Sequence, residues 1–394
     1  MHFTFQNPTQ LIFGAGTLSQ LGKVVREHGK KALLVTGGGS IKRNGTFERA
    51  VSSLNAAGVS VVECSGVEPN PRLSTVVRGA EIARRECCDV VVALGGGSTM
   101  DAAKVMAAAV YYEGDPWNMM VHQENRRRPD RALPVITVPT LAATGSEMNS
   151  GAVITDEKST VKSFVSDKCM YPRTAIVDPE LTVSVPLDQT AFGICDLITH
   201  VTESYFNGVD GTPLQDRFAE SVILTAIEWG PKAIADGTDL EARSQVQWAS
   251  VVALNGWVQA GALAPYPVHM IEHTLSAHHD IAHGAGLAVV NPAWMRFAAR
   301  TRPARFAQFA QRIFGLSLKH PEDADAAAEG IDRFEAFLRS IGCPTRLSEV
   351  GIGDELLARY AQDTVLVAHD AEGRLPGRPP MSEPEIIGVL SSAL

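Results

Sequence analysis

Short apolar runs that end in glycine or a polar turn alternate with helical stretches over the first half of this 394-residue chain. The runs KALLVTGG, VSVVECS, DVVVALGGGS and LPVITVPT predict strands, and helical patterns follow the first three of them. Such alternation is typical of a parallel sheet with helices on both faces. Continuous apolar strands also fit a sheet that is buried on both sides. The first half therefore predicts an α/β domain.

The strand signals fade near the middle of the chain. A hairpin is predicted over residues 151–166 and a short strand at TAIVDP, and from Asp188 to Leu394 the pattern is helical with glycine or proline between segments. Because 394 residues are too many for one ordinary core, we expect two domains. The boundaries predicted are residues 1–186 for the α/β domain and 187–394 for an all-helical domain.

Composition restricts the class of protein. The net charge of −9 argues against binding to nucleic acid or to an anionic membrane surface. No apolar run is long enough for a transmembrane helix, and the first residues, MHFTFQNPTQLIFG, lack the basic and apolar regions of a signal peptide. The six cysteines form no CxxC pair, so we expect reduced thiols in a cytoplasmic protein, with a catalytic cysteine as the less favoured alternative.

Two glycine-rich turns each follow a predicted strand. Glycine lets the backbone turn sharply and lets a ligand approach the amides closely, and a helix N-terminus favours an anion such as phosphate. One such turn alone is equally well explained as a tight connection, but two in one α/β unit favour dinucleotide binding. The residues are Gly37, Gly38, Gly39 and Ser40 in the first turn and Gly95, Gly96, Gly97 and Ser98 in the second.

Polar residues near the second turn extend this candidate cofactor site. Asp101 lies in the first turn of the following helix, where it either stabilises the helix end or forms a hydrogen bond to the cofactor. The loop VPTLAATGSE leaves another strand, and its hydroxyls from Thr140, Thr144 and Ser146 can donate to phosphate or ribose oxygens.

A second group of residues has the chemistry of a metal site. Asp196 and His200 are four residues apart in a helical pattern, which puts a carboxylate and an imidazole on one face. The later segment HMIEHTLSAHHDIAHG holds five of the eleven histidines. A lone histidine is usually a surface or core residue, but imidazoles with one carboxylate suit a divalent metal such as Fe²⁺ or Zn²⁺. The histidines are His269, His273, His278, His279 and His283.

At this point the chain resembles the iron-containing, or group III, alcohol dehydrogenases. Within that family it is most similar to the branch of NADPH-dependent butanol dehydrogenases and broad-specificity aldehyde reductases. The resemblance covers nearly the whole chain, and the motifs together are far more specific than any one of them. They are NPTQLIFGAG, GGGSIKRNG, EPNP, ALGGGSTMDAAK, ATGSEMNSGAVIT, DRFAESVILT and the histidine segment.

The resemblance implies a fold and a set of site residues. The fold is an α/β dinucleotide-binding, Rossmann-like domain followed by an all-α metal-binding domain, with the active site in the cleft between them. The implied catalytic residue is His273, which lies near the nicotinamide and the substrate without binding the metal. The implied metal ligands are Asp196, His200, His269 and His283. The implied cofactor contacts are Gly95 to Ser98 at the pyrophosphate, together with Asn70, Thr140, Thr144, Ser146 and Lys162.

The chain departs from the family pattern at two places. It reads VPTLAATGSE where many members read VPTTAGTGSE. His278 and His279 are imidazoles that many members lack, and we interpret both as residues at the surface or behind the ligands. If that interpretation is wrong, His279 is the alternative to His283 as the fourth ligand.

These features together predict a metal-dependent enzyme that interconverts alcohols and aldehydes with a nicotinamide cofactor. The metal, Fe²⁺ or Zn²⁺, would act as a Lewis acid on the substrate oxygen, and His273 would relay a proton. The resemblance also implies a homodimer. The alternatives are a glycerol-dehydrogenase-like or dehydroquinate-synthase-like enzyme of the same fold, and a nucleotide- or metal-binding sensor without turnover.

The first glycine turn predicts NADP(H) in preference to NAD(H). In dinucleotide folds an acidic residue at a strand end commonly binds the adenine-ribose hydroxyls and repels a 2′-phosphate. NAD-preferring relatives often carry Asp where this chain has Gly39, and no carboxylate follows the strand before Glu48. Lys42 and Arg43 are either ordinary solvated charges or sources of positive charge for the 2′-phosphate.

Overall fold

The chain forms two compact units in a computed structural model, which describes residues 2–262, 264–316 and 323–394. The first, which we call the α/β unit, comprises Gln6–Val185 and Gly237–Val251. The second, the helical unit, takes the remaining described residues. The α/β unit thus includes Gly237–Val251, a segment that the sequence analysis assigned to the helical domain, because a helical pattern does not say which core the helix packs against.

A six-stranded parallel sheet forms the centre of the α/β unit, and the predicted parallel sheet is confirmed. Its strands lie in the order β1-β8-β5-β4-β2-β3. The edge strand β1 is not among the strands predicted from sequence. The strands are β1 Gln10–Phe13, β2 Lys31–Thr36, β3 Ser60–Cys64, β4 Val90–Gly95, β5 Val135–Pro139 and β8 Thr174–Val177. The predicted hairpin is also present, as the antiparallel pair β6 Gly151–Asp156 and β7 Val161–Ser166.

Helices cover the sheet on both faces. Leu33 and Val91 belong to one apolar core with residues of α4 and α5, while their neighbours Leu34 and Val92 belong to another with residues of α1 and α3. Because successive strand residues point to opposite faces, only continuous apolar strands can supply both cores, as this sequence does. The helices of this part of the chain are α1 Leu21–Arg26, α2 Ser40–Arg43, α3 Thr46–Ala56, α4 Leu73–Arg85 and α5 Gly97–Ala109.

The strand order places the glycine turns side by side. Strand β2 pairs with β3 on one side and β4 on the other, so the chain direction across the sheet reverses at this point. Loops at the carboxyl ends of strands flank a crevice at such a reversal, which is where open α/β sheets bind their ligands. Thr36 pairs with Leu94, and Gly95 pairs with Pro139. Consequently both turns and the VPTLAATGSE loop leave the same edge of the sheet.

The helical unit is built from long helices that pack closely where glycine permits it. A Cβ atom on Gly284 would lie 2.2 Å from the backbone oxygen of Phe192, so α10 approaches α6 more closely than any side chain would allow. No helix of the described part of the chain is long and apolar enough to span a membrane. The helices of this unit are α6 Leu187–Asn207, α7 Pro213–Ala235, α9 Pro267–His279, α10 His283–Ala299, α11 Pro303–Phe314, α12 Asp323–Ser340, α13 Leu357–Val367 and α14 Glu383–Ser391. Helix α8, Leu240–Ala253, belongs to the α/β unit as far as Val251.

A fully buried lysine joins α5 to the loop that follows β5. Lys104 Nζ donates hydrogen bonds to the backbone oxygens of Ser146 at 3.0 Å and Asn149 at 3.3 Å, and lies 3.7 Å from Asp101 Oδ1. Burial lowers the pKa of Lys104 and raises the pKa of Glu147 to about 7. These buried polar groups fix the loop against the start of α5.

We predict that Glu147 makes the protein less stable as the pH rises from about 4.5 to about 7. Its pKa in the folded chain lies above its ordinary value, so across this window the unfolded chain has released the proton that the folded chain still holds. The free energy of unfolding then falls by about 1.4 kcal/mol per pH unit. Glu147→Gln removes this titration, and its stability relative to wild type should rise by about 2–3 kcal/mol between pH 5 and pH 7.

Urea unfolding at several pH values measures this difference. Glu27→Gln, at an exposed site in the same unit, is the matched control, and its curve should stay parallel to that of wild type. A parallel curve for Glu147→Gln would show that burial does not perturb this carboxyl group.

Candidate metal centre and nucleotide-binding loops

Helix α6 supplies the first two residues of the candidate metal centre. Asp196 and His200 are one helical turn apart, and both are buried. His200 Nδ1 lies 3.2 Å from Asp196 Oδ1. The four-residue spacing therefore puts both groups on one face of the helix, as predicted from the sequence.

Helices α9 and α10 bring two further imidazoles to the same carboxylate oxygen. His269 Nε2 lies 3.6 Å from Asp196 Oδ1, and His283 Nε2 lies 3.9 Å from it. His269 is in the first turn of α9, and His283 is the first residue of α10. Three ring nitrogens from three helices thus face one carboxylate oxygen.

The hydrogen bonding of this group fits a cation site. Asp196 Oδ1, His200 Nδ1 and His269 Nε2 are buried and have no hydrogen-bond partner among the described residues. Buried polar atoms without partners are costly and rare. A divalent metal coordinated by these atoms would compensate them, and three imidazoles with one carboxylate are a ligand set that Fe²⁺ and Zn²⁺ both accept. The residues present therefore fit the metal that the sequence analysis expects.

The surroundings of Asp196 and His200 favour the protonation states that a metal needs in these two candidate ligands. Burial raises the pKa of Asp196, but the neighbouring imidazoles, His200 foremost, outweigh it and hold that pKa well below its usual range. Burial lowers the pKa of His200 to about 3. In the metal-free protein near neutral pH, Asp196 is therefore ionised and His200 is neutral. Metal ligands must be deprotonated in this way.

His269 differs because a second carboxylate lies behind it. Burial lowers its pKa, but the carboxylates of Glu203 and Asp196 outweigh that effect and raise the pKa of His269 to about 9. Glu203 contacts His269 Nδ1, and Glu272 contacts His283 Nδ1 in the same manner. Two of the four candidate ligands therefore have a buried carboxylate on the ring nitrogen that faces away from Asp196.

His273 lies beside the candidate ligands. It is buried, and its ring centroid is 6.2 Å from that of His269 and 5.5 Å from that of His283.

The two additional histidines of this segment contact residues other than the candidate ligands. His278 Nε2 lies 2.8 Å from Asp363 Oδ2, and His279 Nε2 lies 2.5 Å from the hydroxyl of Tyr360, so both contact α13.

The second glycine turn is packed against threonine side chains. A Cβ atom on Gly95 would lie 2.4 Å from Thr99 Oγ1, and one on Gly97 would lie 2.4 Å from Thr144 Cγ2, whereas one on Gly96 would meet nothing closer than 3.7 Å. The turn leads directly into α5, a helix of 13 residues. Gly95 and Gly97 are therefore required by close packing, and the backbone at Gly96 is the more open.

The first glycine turn is more open than the second. A Cβ atom on Gly38 would meet no atom within 4 Å, and Gly37 approaches Thr99 at the start of α5. Gly39 has a positive φ of 99° and precedes Ser40, the first residue of the short helix α2. The positive φ accounts for glycine at this position.

The residues predicted in the VPTLAATGSE loop bond mainly to one another and to Asp101. Thr140 donates its backbone N–H to the oxygen of Gly95 at 3.0 Å, and Thr144 Oγ1 accepts the backbone N–H of Ser146 at 3.2 Å. The Ser146 hydroxyl donates to Asp101 Oδ1 at 2.5 Å. Asp101 Oδ2 also accepts the backbone N–H of Val153 at 2.8 Å. The Asp101 carboxylate thus joins α5 to this loop and to the hairpin.

The structure brings together three predicted residues from distant parts of the chain. Lys162, on β7, donates from Nζ to Asn70 Oδ1 at 3.0 Å, and both side chains are buried. The Ser98 hydroxyl donates to the backbone oxygen of Pro69. The loop that carries Asn70 therefore contacts both the start of α5 and the hairpin.

Sequence reasoning missed Lys104, Glu203 and Glu272. Glu203 follows Asp196 by two helical turns, and Glu272 stands between His269 and His273, so helical spacing on a histidine-bearing face was the available signal. Lys104 is the only basic residue in the apolar helix GSTMDAAKVMAAA. A single lysine in such a helix was the available signal that it is buried. None of the three was singled out from the sequence.

Comparison with known proteins agrees with this geometry. Residues 8–179 match the iron-containing alcohol dehydrogenase family and residues 190–394 match its C-terminal domain. The probable NADH-dependent butanol dehydrogenase 1 of Bacillus subtilis is 41% identical, with 100% of both chains covered. The NADPH-dependent aldehyde reductase YqhD of Escherichia coli is 34% identical, with 89% of each covered. The crystal structure of the NADH-dependent butanol dehydrogenase A of Thermotoga maritima has a TM-score of 0.94 at 37% identity, covering 100% of this chain and 98% of that one. The chain belongs to the iron-containing alcohol dehydrogenase family.

Proposed function

We propose that this protein interconverts alcohols and aldehydes by hydride transfer with a nicotinamide cofactor, at one divalent metal held by four residues. The observation that carries the proposal is the approach of three imidazole nitrogens, two of them on buried residues, to one oxygen of the buried Asp196. When bound, the metal polarises the substrate oxygen as a Lewis acid and the nicotinamide supplies or accepts the hydride. The four ligands are Asp196, His200, His269 and His283.

Within the helical unit, each side chain has a separate task. The four ligands hold the metal in a buried place, where electrostatic interactions are stronger than in water. We assign proton transfer to His273, since it is buried beside His269 and His283 and an imidazole exchanges protons near neutral pH.

Within the α/β unit, the cofactor's phosphates are assigned to the second glycine turn. The N-terminus of α5 offers backbone N–H groups and the positive end of the helix dipole, and the open backbone at Gly96 lets a phosphate approach. The first turn would take the adenine ribose. The remaining assigned contacts are Ser98, Asp101, Asn70, Thr140, Thr144, Ser146 and Lys162.

We propose small aliphatic alcohols and aldehydes as substrates, of the kind named for the butanol dehydrogenase relatives. Butanal and glycerol offered separately, with reduced and oxidised cofactor respectively, distinguish the classes. Turnover of butanal without turnover of glycerol is the expected result. Turnover of glycerol alone would indicate a polyol dehydrogenase, and binding of cofactor and metal without any turnover would indicate a sensor.

NADP(H) is the proposed cofactor, although the names of both butanol dehydrogenase relatives give NADH and that of the aldehyde reductase gives NADPH. Arg43 Nη1 lies 3.7 Å from the place where a Cβ of residue 39 would stand, so its charge is available to a 2′-phosphate at Gly39. Lys42 is less suited, because it forms an ion pair with Glu63 and lies over the ring of Phe47. The proposal of NADP(H) is thus supported by the absence of a carboxylate at Gly39 and by the charge of Arg43.

The cytoplasmic location and the homodimeric state expected from the sequence remain predictions. All six cysteines are free thiols, which fits a reducing compartment.

We predict that His269→Ala and His283→Ala each lose most of the bound metal and nearly all activity, because each removes one of four ligands. His279→Ala is the matched control from the same histidine segment and should keep its metal, since its ring contacts Tyr360. Elemental analysis of each variant after purification without oxygen measures the metal content and also identifies the metal. Full metal content and normal turnover in His283→Ala would contradict the ligand set.

We predict that His273→Ala keeps its metal but loses turnover or changes the pH dependence of kcat. The reason is that His273 is assigned to the proton and not to the metal. A loss on the order of 10²-fold or more in kcat is expected for a proton-transfer residue. If His273→Ala loses as much metal as His269→Ala does, the distinction between the two residues is wrong.

We predict that wild type has the higher kcat/KM with NADPH, and that Gly39→Asp shifts the preference toward NADH because a carboxylate repels the 2′-phosphate. Arg43→Ala should weaken NADPH use and leave NADH use nearly unchanged. The Arg43→Ala variant also tests the assignment without placing a side chain at Gly39, where the positive φ would strain it. Equal kcat/KM for both cofactors in wild type would overturn this assignment.

A further inference from the structure

We infer that Glu203 and Glu272 are positioning residues: two buried carboxylates that each hold one histidine by Nδ1, so that its Nε2 is presented to the metal. The inference rests on the metal site of the proposed function. It assigns a role to two charges that are fully buried and that neither bind the metal nor meet the substrate in the scheme above.

Glu203 holds both the ring and the backbone of His269. One of its oxygens contacts His269 Nδ1 and accepts the His269 backbone N–H at 3.3 Å, and the other accepts the Val268 N–H at 2.6 Å. These N–H groups belong to the first turn of α9, where the residue before the helix, Tyr266, provides no side-chain cap. A single carboxylate from α6 therefore anchors the start of α9 and the orientation of its ligand.

Glu272 holds His283 across the junction of α9 and α10. Its Oε2 contacts His283 Nδ1, while His283 Nε2 lies 3.9 Å from Asp196 Oδ1. A Cβ atom on Gly286 would lie 2.7 Å from Glu272 Cγ and 2.9 Å from its Oε1. Gly286, the second glycine in the sequence HGAG, therefore makes room for this carboxylate. It lies one helical turn after His283, the histidine that the carboxylate holds.

The chemistry of imidazole explains why carboxylates stand at these positions. A neutral imidazole has one N–H donor and one lone pair, and a carboxylate at Nδ1 fixes the proton there and leaves the Nε2 lone pair for the metal. The negative charge also makes the ring a stronger ligand. In turn, the paired ring compensates the cost of burying Glu203 and Glu272.

A second arrangement uses the same residues. Glu272, His273 and His283 have ligand atoms within 4.8 Å of one another and would themselves hold a metal. His283 would then bridge two ions. The contact between Glu272 and His283 Nδ1 instead fits a proton between them and one ion on the opposite nitrogen, so the number of metal ions per chain distinguishes the two arrangements.

The experiment measures metal affinity in the full-length protein. Metal-free wild type, Glu203→Gln, Glu272→Gln and Glu272→Ala are titrated with Co²⁺ against a competing chelator, and the Co²⁺ absorption spectrum is recorded. Wild type should bind one ion per chain. The Gln variants should bind about 10–100-fold more weakly, with an altered spectrum, and Glu272→Ala more weakly still because it also loses the hydrogen bond.

Two further variants separate positioning from general damage to the fold. Glu335→Gln removes a buried carboxylate of the same unit that pairs with Arg296, Arg339 and Arg346, and it should bind Co²⁺ as wild type does. Gly286→Ala displaces the Glu272 side chain without changing any charge, and should weaken binding in the direction of Glu272→Ala. Thermal unfolding of each metal-free variant checks that the fold persists.

Each outcome decides one of the two proposals. If wild type binds no Co²⁺, the metal site of the proposed function fails. If wild type binds one ion and the Gln variants bind it equally tightly with an unchanged spectrum, the proposed function stands and the positioning role fails. Two ions per wild-type chain would assign Glu272 as a ligand and would also overturn that role.

Discussion

One buried carboxylate oxygen, Oδ1 of Asp196, organises the candidate metal centre. Imidazoles from α6, α9 and α10 approach it, although burying an ionised carboxylate among them is costly unless its charge is compensated. A cation bound here, as proposed, would compensate that charge and join the three helices at this point. The close contact of α10 with α6 at Gly284, and the space that Gly286 leaves for Glu272, allow the candidate ligands to come together.

In the α/β unit, the sheet topology positions the candidate nucleotide-binding loops. A parallel sheet places the carboxyl ends of β2, β4 and β5 at one edge, and the glycine turns and the VPTLAATGSE loop follow from that geometry. The loops are then held by buried polar groups, above all Lys104 and Asp101, whose bonds reach the backbone of the loop and the hairpin. Asp101, predicted as a cofactor contact, has both carboxylate oxygens engaged inside the unit.

Much of the fold and of the site could be predicted because it follows from patterns of residues that are close together in the sequence. Strands β2 and β4 are continuous apolar runs, and the spacing of Asp196 and His200 needs only a helix. What depends on distant partners could not be predicted. The edge strand β1 is four half-exposed residues that become a strand by pairing with β8. Likewise, Glu203 accepts the N–H groups of Val268 and His269 at the start of α9, partners that its own sequence, VTESYF, does not reveal.

X-ray absorption at the metal edge of the purified holoenzyme tests the central claim, that Asp196 and three histidines surround one ion. The account predicts one metal per chain and a first coordination sphere of nitrogen and oxygen atoms at about 2.0–2.2 Å. It also predicts the outer-shell scattering of three imidazoles, reduced to two in His283→Ala protein reloaded with excess metal. Sulfur in the coordination sphere, or the same three imidazoles in the His283→Ala protein, would contradict it.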